Sequence, residues 1–186
     1  MSYSSLVRLG GTLCIVGGAV LLLLGLRFLV EGGAVEDGLT GLMVGIWALG
    51  GICGVLGMIA LEATGTNPIV RIVSYLPVVA FLVVLLGIVY PIGNTANGWN
   101  VLIAFGLLGL LVGLVLNGVF VLRANVWSGW KQIVPFLPAI MPFVGIAIDG
   151  LIGTKVGVNV GLIGLSWMLL GYVLTMSPAR ELAVSR

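Results

Sequence analysis

Of the 186 residues in this chain, none is histidine. That absence removes His-ligated haem, zinc and copper, His-bound chlorophyll, and any Ser-His or Cys-His catalytic pair. Charge is nearly as scarce, with eight Lys and Arg against six Asp and Glu. Soluble domains carry about 25% charged residues. No basic run could track phosphates, so nucleic acid is not expected as a partner; the nearest cluster, Arg123 to Lys131, reads as a charged cytoplasmic turn. Asp149 is the only aspartate within an apolar run, so the paired aspartates of intramembrane proteolysis are missing. Lys131 and Lys155 fall at the ends of runs, where neither suits a retinal Schiff base. A proton pump or voltage sensor needs more buried charge than this. The chain is therefore expected not to be an enzyme and to have no catalytic or metal-ligating residues. Cys14 and Cys53 both lie inside apolar runs without metal-type spacing and read as small, reduced packing residues.

What is abundant is hydrocarbon, at 60% of residues. It is arranged in runs of about 20, the length that crosses a bilayer. Six spans follow, at approximately Leu6–Val30, Leu39–Leu61, Ile69–Ile92, Trp99–Leu122, Gln132–Ile152 and Val156–Met176. Their connections are short and carry turn residues, as in Asn67-Pro68, Ser128-Gly129 and Gly153-Thr154. Short connections make neighbouring helices antiparallel. The expected fold is all-α: a polytopic membrane protein whose residues 1–186 form one six-helix bundle. The first run is too long for a signal peptide and reads as a retained helix.

Lys and Arg give a direction. With both termini cytoplasmic, Arg8, Arg71, Arg123, Lys131, Arg180 and Arg186 lie inside, and only Arg27 and Lys155 lie near the outer side. The expected location is the cell (inner or plasma) membrane. Tyr90 and Trp99 would mark the outer interface, with Tyr3, Trp127 and Trp130 at the inner one.

Glycine is the main packing residue, with 30 copies. In lipid it lets helix backbones approach closely. Gly41, Gly45, Gly50, Gly54 and Gly57 lie in the second span, Gly106, Gly109 and Gly113 in the fourth, and Gly157, Gly161 and Gly164 in the sixth. Gly11, Gly18 and Gly25 share one face of the first. These are expected helix contacts, mostly internal. Gly50 to Gly57 looks like a nucleotide-binding motif but lacks the strand and the acidic residue such a motif needs. The segment Gly41 to Leu49 also echoes Gly161 to Leu169, each with a tryptophan at its seventh position.

Polar residues near the membrane are functional candidates by default. Arg27 is expected to snorkel outward and pair with Glu31 or Asp149. Asp149 could bind a cation or proton, but pairing with Lys155 or Arg27 is favoured. Glu62 is expected to pair with Arg71. Asn117, the deepest strongly polar side chain, is expected to bond a neighbouring helix, or else to contact a ligand. Pro135, Pro138 and Pro142 should bend the inner half of the fifth span and free carbonyls such as those of Lys131 and Val134.

Short-looped, glycine-rich helices are common among small prokaryotic membrane proteins, and no motif here points to a particular family. The leading expectation is a non-catalytic packing or scaffold subunit that self-associates or docks to a larger complex. The alternative is a small transporter or channel for a weakly polar solute or lipid, using the proline-broken fifth helix. No cofactor is implied, although grooves and aromatics such as Trp47 and Trp167 would suit a lipid, quinone or carotenoid.

Overall fold

A computed structural model describes residues 3–34, 37–89 and 101–176, with side chains from residue 5. Tyr90, Pro91, Trp99, Glu36, Arg180, Arg186, the connection 93–98 and the Tyr3 side chain lie outside the described part. The described residues contain no strand. Apolar runs in hydrocarbon must satisfy their backbone groups internally, which selects helix.

The helices are α1 (Tyr3–Glu31), α2 (Gly38–Ala60), α3 (Pro68–Ser74), α4 (Leu76–Val89), α5 (Val101–Ala124), α6 (Leu137–Ile152) and α7 (Gly157–Met176). Among the described residues, six stretches are long and apolar enough to cross a membrane, with α3 and α4 together forming the third. The protein is a multi-pass membrane protein. Below, the near side is the one on which α1 begins.

Local chemistry sets the ends. Asp37 caps α2, accepting from the Thr40 amide at 2.8 Å. Asn67 caps α3 through the Ile69 amide at 2.9 Å, with Pro68 in the first turn. Gly153 closes α6 with φ at +75°, a left-handed position that favours glycine. The third span breaks at Tyr75 because Pro77 has no N–H for the carbonyl of Val73. The fifth span does not begin as an α-helix. Gly129–Gln132 and Val134–Phe136 are 3₁₀ turns that lead into α6.

α1 is the spine, lying between α2 and α7; α4 joins α2 to α5, α6 packs on α7, and α5 meets the 3₁₀ turns that precede α6. Glycines set how closely these helices approach. A Cβ on Gly18 would lie 2.6 Å from the Gly164 carbonyl oxygen, and one on Gly25 would lie 2.5 Å from the Gly161 amide nitrogen. Gly11 meets Gly171 in the same way, so the expected Gly11, Gly18, Gly25 face is the seam with α7. The adjacent face of α1 serves α2: Gly10 meets Cys53 and Gly17 meets Gly50. Contact order along each pair confirms antiparallel neighbours. Gly157 packs on Leu29, Gly113 on Pro77 and Gly109 on Ala80.

Four helical glycines depart from internal packing. Gly38, Gly45 and Gly150 have nothing within 4 Å, and Gly41 has only an Ile88 methyl at 3.8 Å. Trp127 lies in the turn after α5, at the near end of the bundle. It is fully buried, whereas Trp130 is exposed.

Candidate functional site

The centre of the bundle is filled by three rings. Trp47 of α2, Phe81 of α4 and Trp167 of α7 pack edge to face, with centroids 5.2, 5.3 and 6.4 Å apart. Phe81 fits because Gly51 has no side chain, and Trp167 sits beside Gly54 and Cys14. Cys14 donates its thiol proton to the Trp167 carbonyl at 3.2 Å, and both cysteines are free. The two tryptophans of the sequence echo thus meet in one cluster. Their indole N–H groups have no oxygen or nitrogen partner, and the neighbouring ring faces are weak acceptors in such geometry.

Asn117 is the hub of the near half. Its amide donates from Nδ2 to the Ser74 carbonyl at 3.2 Å, the interhelical bond expected of it. That carbonyl belongs to the turn that Pro77 interrupts, so α5 mends a break in its neighbour. Gly113, one turn away on the same face, makes room for the proline ring. Gly118, the residue after Asn117, packs against the Phe136 ring of the second 3₁₀ turn. The two interrupted spans therefore meet on α5 around Asn117. The Ser74 hydroxyl bonds back to the Val70 carbonyl at 2.8 Å.

The prolines of the fifth span act differently from one another. Pro135 lies in the second 3₁₀ turn and Pro138 in the first turn of α6, where a missing N–H costs little, and only Pro142 lies inside the helix. The Val134 carbonyl is not free, since it accepts from the Leu137 amide, and the Lys131 carbonyl faces the Ile133 amide. The expected bend is realised as 3₁₀ winding, which uses those carbonyls at shorter range.

Asp149 forms no pair with Lys155 or Arg27. It is 4% exposed and accepts from the Thr154 hydroxyl at 2.5 Å, the Asn159 amide at 2.9 Å and the Val158 amide at 3.1 Å. It therefore caps α7 from the end of α6, where the positive end of the α7 dipole offsets its charge. Two amides and a hydroxyl reach it at shorter range than the flexible Lys155 does.

Arg27 pairs with Glu31, as expected, at 3.0 Å. Its second partner is Asp37, not Asp149, in a two-pronged contact at 2.6 and 3.1 Å. The guanidinium, together with the Thr40 amide, holds the Asp37 carboxyl well below the usual carboxylate range. This cluster fastens the far end of α1 to the start of α2. Among the described residues these are the only ion pairs, so Glu62 and Arg71 do not form one. Glu62 instead ends α2 in a left-handed conformation, φ +52°.

Two apolar hollows flank α1. One, of about 270 Å³, lies against α2 between Leu6, Gly10, Leu13, Cys53 and Gly57. The other, of about 180 Å³, lies against α7 between Leu22, Leu29, Gly157 and Leu165. Neither includes Trp47 or Trp167, and both are lined by residues suited to hydrocarbon chains. Among the described residues, no three metal-ligating side chains come together. Phe81, Thr154 and Asn159 were not visible as site residues in the sequence, because Phe81 meets rings of other helices and the other two reach Asp149 only through the shape of the tight turn between α6 and α7. No protein-family model, curated protein or solved structure matches this chain.

Proposed function

We propose that the chain is a non-catalytic membrane subunit that associates, with a second copy or within a larger complex, through the far half of α2. The supporting observation is the open approach to Gly38, Gly41 and Gly45. Glycine lowers helix propensity by about 1 kcal/mol relative to alanine, and in lipid it is useful where another helix comes close. Apart from the single open Gly150 of α6, the other helical glycines have neighbouring helices of the chain against them, so only α2 carries a run of open ones. The aromatic plug at the centre also favours a structural part over a solute path. In this reading both termini are cytoplasmic and the membrane is the cell membrane.

The test is the native mass in a mild detergent. Wild-type protein should run as an oligomer or with a co-purifying partner, and Gly45→Leu should run as a folded monomer. A strictly monomeric wild type without a partner would count against the reading.

One observation favours the transporter alternative: two interrupted spans flank Asn117, and interrupted helices line many transport sites. In liposomes, flux that survives both Asn117→Leu and Asp149→Asn would remove those residues from any such mechanism.

A further inference from the structure

We propose that the two helix breaks enclose a site beside Asn117 for a small ligand that binds only acceptors: a water molecule, or an alkali cation in its place. The amide orientation is fixed by its surroundings. Nδ2 faces the Ser74 carbonyl, which can only accept, so the oxygen must point the other way. Asn117 is 0% exposed, and its Oδ1 has no hydrogen-bond partner within the protein. A bare amide oxygen at membrane depth is strongly disfavoured.

The polar groups of the neighbouring break offer it no donor. The Ser74 hydroxyl, itself 0% exposed, has given its proton to Val70, Pro77 has no N–H, and the Tyr75 amide is directed at the Ile72 and Val73 carbonyls. The nearest basic residues of these helices, Arg71 and Arg123, are both exposed. The Asn117 oxygen thus stands without a donor or a basic side chain beside it, and a neutral oxygen of this kind suits a water molecule or a hard monovalent cation and not an anion. The site needs no transport and no association, so it stands or falls apart from either functional reading.

Two measurements on the full chain in detergent test it. The first compares melting in sodium, potassium and choline chloride at one ionic strength. A rise of several degrees in one alkali salt, lost in Asn117→Leu and kept in Asn159→Ala, establishes the cation form. The second follows the side-chain carbonyl band of protein labelled with carbon-13 at asparagine Cγ, with Asn117 identified by subtracting the Asn117→Leu spectrum. Asn117→Gln serves for the subtraction if the Leu variant does not fold. A hydrogen-bonded band without alkali dependence, shifting between light and heavy water, establishes the water form. A band at the free-carbonyl frequency in every salt overturns the proposal.

Discussion

Along α2, Gly50 backs onto α1, Gly57 meets Leu174 of α7, and Gly54 is filled by Cys14 and Trp167; Gly38 and Gly45 on the same helix have nothing within 4 Å. The near half of α2 is a closed seam and the far half an open face, although both are built from the same residue. The difference shows what glycine does in a membrane. It adds no attraction of its own, and its contribution depends on a backbone moving into the space that a side chain would take. Where that has happened, as between Gly18 and Gly164, the helices are fixed in depth and rotation. Where it has not, the helix keeps the propensity cost without the contact.

That contrast can be broken most forcefully at the seam. Gly18→Leu sets a branched side chain against the backbone of Gly164 and Met168, and destabilisation of more than about 3 kcal/mol is expected. The yield of monodisperse protein and its melting temperature report it, and a normally folded variant would mean the seam is not close-packed. Asp149→Ala probes the far end of the α6–α7 hairpin, where three donors lose their acceptor. A loss of about 2 kcal/mol is expected from the missing cap and the orphaned amides, read as a lower melting temperature. Asn117→Leu leaves the Ser74 carbonyl unpaired and should cost about 1 kcal/mol. A stability unchanged by this substitution would show that the break in the third span needs no mending.

The Arg27–Asp37 lock sits where the open face begins, and pH sharpens its role. Because the folded Asp37 carboxyl titrates below its unfolded value of about 4, its contribution is complete above that value. It declines as pH falls towards the lower folded value. Melting should therefore drop modestly on acidification below about pH 4, and less so in Asp37→Asn. The smallest effect on stability belongs to the open face itself: Gly45→Leu should melt within about 0.5 kcal/mol of the wild type.

Six spans were legible because length and hydropathy alone decide whether a run crosses a bilayer. Their boundaries agree to within a few residues where the ends carry caps, as at Asp37 and Gly153. The third and fifth spans are less regular than their hydropathy suggests, since Pro77 breaks one and 3₁₀ winding opens the other. Asn117 could be picked out as the one strongly polar residue deep in a run, and its interhelical bond followed from the cost of leaving it alone. Its acceptor, the Ser74 carbonyl, carries no sequence signal. Asp149 was visible as a lone carboxylate at the end of a span, but neither its burial nor its partners were. Charge suggested Lys155 and Arg27, whereas the tight hairpin brings the Val158 and Asn159 amides to it first. Glycine spacing revealed which faces pack closely and could not separate Gly45 from Gly50, because only the position of the neighbouring helix does.

Intermolecular cross-linking along α2 tests the open face most directly. In a background of Cys14→Ala and Cys53→Ala, the single variants Gly41→Cys and Gly45→Cys would be oxidised in native membranes. A disulfide to the same cysteine of a second copy, or to a thiol that a larger partner presents there, is predicted at both positions, and none at Gly50→Cys, or at the exposed Leu86→Cys of α4. Equal linkage at all four, or none at Gly41 and Gly45, would contradict the division of α2 into a closed and an open half.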